Sequence, residues 1–437
     1  MSGVVAGPTV SAAAETGLIS PEEALSRMLR GLSALPPESV PLEAAVGRVL
    51  AEPVAALVTM PPFDNSAMDG FAVHAADVAG ATPAAPVRLR VVGEVAAGHV
   101  PEGRIRPGSA VRVLTGAMLP PGADAVVPVE ETDALPGMAE LPAAVAIRVA
   151  APVGQHVRRA GSDIVAGQPL LMAGMAVRPP TLALLATAGL AAVRVHQRPR
   201  VAVLSTGDEL VAPGEPLGPG QIHDSNAPML AAQAGQLGAE VRRLGSAPDD
   251  VEAVRGLIAE ALTWADVLLV SGGVSVGARD VVKLAFESFG TLDVWRVAVQ
   301  PGKPLAFGRA PRPGGGELCF FGLPGNPVSS FVTFELFARP VLRALAGHGH
   351  PAARAIVRAR LAEPVSKGPA RRAFLRVMLE SDPARAGGRL ARLAGGQGSH
   401  VLSALAAADG LAVVPEGVPG LPAGAEVEVW LLDREEA

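Results

Sequence analysis

Four turns rich in small residues carry the groups of this 437-residue chain that could do chemistry in concert. They are Phe63-Asp64-Asn65-Ser66-Ala67-Met68-Asp69-Gly70, Leu204-Ser205-Thr206-Gly207-Asp208-Glu209-Leu210, Val270-Ser271-Gly272-Gly273-Val274-Ser275-Val276-Gly277 and Gly322-Leu323-Pro324-Gly325-Asn326-Pro327. Small residues let backbone N–H groups close on an anion, and the carboxylates of the first two turns can hold a cation beside it. The chemistry indicated is phosphate plus a metal ion. Asp69, Glu209 and Asp280 all sit in Gly-flanked turns, where carboxylates alone would repel phosphate. Mg²⁺, which takes one or two carboxylates together with phosphate oxygens, removes that conflict.

The chain has only three lysines, Lys283, Lys303 and Lys367. Lys303, in Gln300-Pro301-Gly302-Lys303-Pro304, reads as a point charge for phosphate, and Lys283 as an ordinary surface lysine. Asp250 reads as a helix N-cap, and Asn326 as a recognition amide on a proline-stiffened turn. No Ser-His-Asp or Cys-His order supports a protein nucleophile. Cys319, the lone cysteine, excludes an intrachain disulfide and reads as a buried strand thiol. His348-Gly349-His350 reads as a solvated linker.

The elements that must position these turns follow from periodicity. Ser20-Pro21-Glu22-Glu23 predicts a helix start, with the helix ending near residues 35–37. Short Val-rich runs between residues 54 and 149, such as 87–92 and 125–129, predict a β-rich module. From residue 199, apolar strands at 201–204, 241–244 and 267–270 alternate with helices at 227–237, 251–262 and 281–289. This predicts a parallel sheet covered on both faces, with ligands at the carboxyl ends of its strands. Alternating strands after residue 351, at 355–361, 373–379 and 427–432, predict a small C-terminal β domain.

The net charge of −5, an aromatic content of 3% and the lack of a long basic run argue against nucleic-acid binding. The longest apolar stretch, 179–193, is too short to span a membrane and reads as a buried helix. No basic residue precedes the N-terminal apolar run, which predicts a cytoplasmic protein whose first 17 or so residues are disordered.

Across nearly the whole chain from residue 19, the motifs PPFDNSAMDGFAV (61–73), VLTGAMLPPGADAVV (113–127), LSTGDEL (204–210), IHDSN (222–226), VSGGVSVGARD (270–280), PGKPLAFG (301–308) and GLPGNPVS (322–329) resemble the molybdopterin molybdenumtransferase family. That family includes bacterial enzymes and the E domain of gephyrin. The resemblance implies a multidomain α/β and β fold: a helical and strand linking domain (1–48 and 150–198), an inserted β-rich domain (49–149), a parallel-sheet α/β molybdopterin-binding domain (199–346) and a β-barrel-like C-terminal domain (347–437). It further implies an elongated homodimer. The implied reaction takes adenylylated molybdopterin and molybdate, with Mg²⁺ as cation, releases AMP and gives molybdenum cofactor. A separate adenylyltransferase and recipient molybdoenzymes would be its partners.

Carried over by motif, the family's functional positions fall on Asp69, Thr115, Asp163, Glu209, Asp249, Asp280, Pro324 and Pro327. Ser205, Thr206, Gly207, Asp224, Asn226, Ser271, Gly272, Gly273, Ser275, Gly277, Lys303 and Asn326 complete the implied binding set. Glu209 and Asp280 would place Mg²⁺ on the bridging phosphates. Residues 271–277 and Lys303 would bind pterin phosphate or pyrophosphate, and Asp69 with Thr115 would position molybdate or the attacking oxygen. Phe71, His74 and Ser162 depart from the Tyr, Arg and acidic residue common in the family. Two rival functions differ in class: a scaffold that clusters membrane receptors, as the gephyrin branch implies, and a generic nucleotide-dependent phosphotransferase. Peptide binding without turnover would mark the first, and direct use of ATP the second.

Overall fold

A computed structural model describes residues 17–137, 140–273 and 281–432. The N-terminal segment expected to be disordered lies almost wholly outside the described residues. The first helix, Pro21–Leu29, starts as the sequence predicts, with Ser20 Oγ accepting from Glu23 N at 3.1 Å. It stops at Leu29 rather than near residue 35. Gly31 takes φ +72°, which breaks the helix, and Leu35 N then donates to Leu345 O. Strand Pro37–Pro41 pairs antiparallel with Ala192–His196, and Leu50, Leu185 and Val195 share a small core beneath them.

The α/β unit is built on a six-stranded sheet in the order Glu240–Ala247, Arg200–Thr206, Val267–Ser271, Glu317–Leu323, Pro304–Pro311, Thr291–Arg296. Side-chain alternation divides it into two cores. Val201, Val203, Val267 and Leu269 face helix Asn226–Gln236, while Ala202, Leu204, Leu268 and Val270 face helices Val251–Leu262 and Val281–Phe286. The first four strands are parallel, as the unbroken apolar runs predict. The fifth is not: Pro304–Pro311 runs antiparallel to both neighbours. Residues 312–316, with Gly315 and Gly316 at positive φ, make a tight hairpin too short for a helical crossover. Buried Asp266 anchors the opposite end of the sheet, receiving both Arg200 and Arg312.

Ahead of this unit lies a five-stranded sheet ordered Ala125–Pro128, Gly70–Val73, Ser109–Val113, Val87–Val95, Ala144–Ile147. Phe71, at one of the departures from the family pattern, is buried in its core. The C-terminal strands close into a barrel, because Arg372–Ser381 pairs with both Arg389–Leu393 and Gly410–Val414 while Ile356–Leu361 and Glu426–Leu431 complete the ring. Closure leaves no free sheet edge within the ring. The barrel is fixed to the α/β unit by parallel pairing of Val299–Gln300 with residues 372–373. Phe374 and Leu411 also join the core under the main sheet.

Between sheet and barrel runs one long helical stretch: Pro327–Thr333, a π-helical turn at Phe334–Ala338, then Arg339–Leu345. His348, just beyond it, is half buried rather than part of a solvated linker. Burial first, then Arg343 and Arg339, lowers its imidazole pKa to about 4. The apolar stretch 179–193 forms helix Pro179–Thr187 and the first two residues of strand Ala192–His196, and the helix buries only Leu185. It is therefore a half-exposed helix, not a buried one. Among the described residues no helix is long and apolar enough to cross a membrane.

Cys319 lies within strand Glu317–Leu323, between Val267 and Arg309, and is 1% exposed. Burial raises its thiol pKa to about 12. In native protein a thiol-specific reagent such as Ellman's should therefore label almost none of the single cysteine at pH 8, and label it fully after denaturation. Rapid stoichiometric labelling of the folded chain would contradict this packing.

Candidate functional site

The turns at the carboxyl ends of the parallel strands meet at backbone distance. A Cβ on Gly272 would lie 2.5 Å from Thr206 O, and one on Gly273 would lie 2.8 Å from Thr206 Oγ1. Both glycines have positive φ, so glycine is required on conformational and steric grounds alike. A Cβ on Gly325 would reach Gly272 Cα at 3.8 Å, which brings in the Pro324-Gly325-Asn326 turn. Asn226 locks the arrangement: Nδ2 donates to Ser271 Oγ at 2.7 Å and to Gly325 O at 2.6 Å. Asp224 Oδ1 in turn accepts from the backbone N–H groups of Asn226 and Ala227. Asp224 and Asn226 thus serve as framework here, with Asn226 Oδ1 left over.

That oxygen belongs to a set of buried polar atoms without partners among the described residues, together with Ser205 Oγ and Thr206 Oγ1. Native proteins rarely leave such atoms unpaired, and a concentration of them at strand ends is a binding-site signature. Carboxylates gather on the same side. Gly207 takes φ +148°, and a Cβ there would lie 2.5 Å from Glu209 Oε2. Asp208 Oδ1 accepts from Asp249 N at 3.1 Å. Partial desolvation, then the charges of Asp208 and Glu209, raise the Asp249 carboxyl pKa. Asp250 caps the next helix by accepting from Ala253 N at 2.8 Å, as expected. Ser275, Gly277 and Asp280 lie outside the described residues.

Lys303 opens onto a cavity of about 620 Å³ between the α/β unit and the barrel. Pro324 and Asn326 line one side, and Lys367, Arg371 and Arg376 line the other. Among the described residues that line it there is no Asp or Glu. The Asn326 side chain makes no capping bond to the helix that begins at Pro327. Its amide is therefore available to the cavity. The three barrel cations were not singled out by sequence reasoning. They lie more than 60 positions from Lys303, and only the pairing of 299–300 with 372–373 reveals them as neighbours. Lys283 is instead an exposed side chain 3.9 Å from Glu287.

Asp69 and Thr115 form a second constellation, on the five-stranded sheet. Asp69 Oδ1 accepts from Thr115 Oγ1 at 2.7 Å and from Thr115 N at 2.6 Å. These bonds, the side-chain one first, hold the Asp69 carboxyl pKa below the ordinary range. Gly70 is forced by close strand packing, since a Cβ would meet Val127 O at 2.0 Å. The turns at 63–70 and 114–119 are laced by Ser66 N to Ala117 O, Gly116 N to Ser66 O and Leu119 N to Asp64 O. Asp64 also receives Arg159 and Ala160 N, which draws in the turn bearing Asp163. Asp163 itself is exposed, and only its backbone N–H is bonded, to Met60 O. Among the described residues, no hydrogen bond or ion pair links Asp69, Thr115 or Asp163 to the α/β turns.

This arrangement matches known proteins along most of its length. The family described as "MoeA N-terminal region (domain I and II)" matches residues 19–189, "Probable molybdopterin binding domain" matches 202–344, and "MoeA C-terminal region (domain IV)" matches 358–432. Molybdopterin molybdenumtransferase 2 of Mycobacterium tuberculosis is 42% identical over 403 residues, covering 90% of this chain and 95% of its own. Molybdopterin molybdenumtransferase of Bacillus subtilis is 35% identical, covering 91% and 90%. A solved structure of a molybdopterin biosynthesis moeA protein from Pyrococcus horikoshii superposes with a TM-score of 0.79 at 29% identity, covering 95% of this chain and 100% of that one. With its three regions in the same order and its glycine turns meeting at the strand ends, the chain belongs to the molybdopterin molybdenumtransferase family.

Proposed function

We propose that this chain is the enzyme that inserts molybdenum from molybdate into adenylylated molybdopterin, releasing AMP and giving molybdenum cofactor. The observation that carries this reading is the meeting of the Thr206, Gly272–Gly273 and Gly325 turns, with Asn326 of the last lining a cationic cavity. Backbone N–H groups and unpaired hydroxyls at the strand ends suit the phosphates of the substrate. Lys303 and Arg371 supply charge for a further anionic group.

The donor set also fits Mg²⁺. Glu209, with Asp249 and Asp208 beside it, offers hard oxygen ligands, and the Asp249 carboxyl pKa is raised by partial desolvation first and then by its two acidic neighbours. Among the described residues no three His, Cys, Asp or Glu side chains could cage a metal ion alone. An ion sharing phosphate oxygens and keeping waters needs only one or two carboxylates, and Glu209 with Asp280 would hold it. When bound, Mg²⁺ neutralises charge on the bridging phosphates. Asp69, kept ionised by Thr115, can accept only from a proton-bearing oxygen, so it would orient attacking water or a protonated molybdate oxygen rather than the bare dianion. Because Asp69 and Thr115 form their own constellation, we infer that a complete site pairs them with the α/β turns of a second subunit in a homodimer.

Purified protein with adenylylated molybdopterin and Mg²⁺ should release AMP in a molybdate-dependent manner, and metal analysis should find molybdenum on the pterin. Binding without release would overturn the assignment. Glu209→Ala should slow AMP release about 10²-fold, the scale of losing one preorganised charge contact; an unchanged rate would remove Glu209 from the metal site. The Asp69 carboxyl has a folded-state pKa below its unfolded value. Its contribution to stability is therefore present above the unfolded value and lost as pH falls through the folded one. Thr115→Val should move that pKa upward toward the ordinary carboxylate range and shift the acid limb of the AMP-release profile to higher pH. Carboxyl-carbon NMR titration reads the shift directly, and an Asp69 titration identical in the two proteins would exclude this coupling.

A further inference from the structure

The five-stranded sheet that carries Asp69 and Thr115 also bears a cavity of about 550 Å³ that the reading above does not use. Strands Val87–Val95 and Ser109–Val113 and the turn at 101–106 supply its walls. Arg90, Arg104 and Arg106 all line it. Arg112, on the adjoining strand, pairs with Glu94. By contrast, no ion pair or side-chain hydrogen bond engages Arg90, Arg104 or Arg106 among the described residues, and Glu102 in the same wall is also unpaired. With Glu94 matched by Arg112 and Glu102 offsetting one guanidinium, the lining keeps an excess of positive charge that focuses a positive potential on the concavity.

Ser109 lines the same cavity, and no side-chain hydrogen bond engages it among the described residues, so its hydroxyl is open to donate to a ligand. The volume suits a small molecule. No aromatic ring lines the cavity, so the base of a nucleotide would find no stacking surface there. Val95, at one end of the lining, accepts from Leu114 N, so that end borders the turn carrying Thr115, while Ser109 lies at the other end of strand Ser109–Val113.

We propose that this cavity is a second oxyanion site, taking a small multivalent anion such as a phosphate ester or a polycarboxylate. The guanidinium forks would bind its oxygens and the Ser109 hydroxyl would donate to it. This site stands independently of the proposed insertion reaction.

Isothermal titration of the full-length chain with pyrophosphate and, separately, with citrate tests it, and the ligand that binds identifies the phosphate or carboxylate class. Saturable binding should weaken at least about tenfold in Arg90→Gln/Arg106→Gln, the loss expected when charge-assisted hydrogen bonds are removed. It should persist in Lys303→Ala, which disables the other cationic cavity. Arg106→Lys keeps the charge but not the fork and should fall between the two. All three arginines are exposed, so melting temperatures should match the parent protein. Binding that disappears in Lys303→Ala and is unchanged in the double arginine variant would overturn the proposal, as would the absence of saturable heat with either ligand at millimolar concentration.

Discussion

The two hydrogen bonds donated by Asn226 Nδ2 hold the carboxyl end of the central sheet in one piece. Ser271 Oγ and Gly325 O, ends of two different strand–turn units, both depend on this single amide. Losing it would leave the buried Ser271 hydroxyl without this partner, at about 1–3 kcal/mol, and would release the more exposed Gly325 carbonyl to water. The amide can serve both only because Gly272 and Gly273 let the Ser271 turn rest on Thr206. Small residues in these turns therefore act first on the packing of one turn against another.

Electrostatics is divided between two faces of the same region. Negative charge collects around Glu209 and Asp249, and positive charge collects across the cavity that Lys303 shares with the barrel. A ligand carrying phosphates and a cation satisfies both faces at once, whereas a neutral ligand would satisfy neither. The barrel is thus part of the electrostatic site, fixed by strand pairing at 299–300 and by a shared core.

Much of this was legible in the sequence because it rests on local rules. Unbroken apolar runs at 201–204 and 267–270 specify strands buried on both faces, and Ser20 and Asp250 specify helix starts through their own side chains. Glycine clusters after those strands marked the turns that meet. The unread parts depend on pairing between distant segments. The reversed strand Pro304–Pro311 is itself apolar, and only its hairpin partner fixes its direction. The Asp69–Thr115 bond spans 46 positions, and the barrel cations opposite Lys303 carry no local sign of their neighbour. Helix ends were misjudged where a glycine at positive φ, Gly31, outweighed continuing apolar periodicity.

The π-helical turn at Phe334–Ala338 has a further consequence. One extra residue in a turn advances the side chains beyond it by about 100° relative to a regular α-helix. The stretch therefore behaves as two helices sharing an axis, with different inward faces. Its first part begins beside the barrel, where Val328 N donates to Ser399 O. Its second part ends among Arg339, Arg343 and His348, with Arg339 bonded to Ala353 O. A wider turn also leaves room for Pro340, which has no N–H to contribute and whose ring would crowd a regular helical carbonyl. Insertions or deletions of a single residue in this stretch would consequently act as rotations. They would turn the arginine-rich end away from its partners while leaving the substrate-side end where it was, so the helix sets the angular phase between the two halves of the molecule.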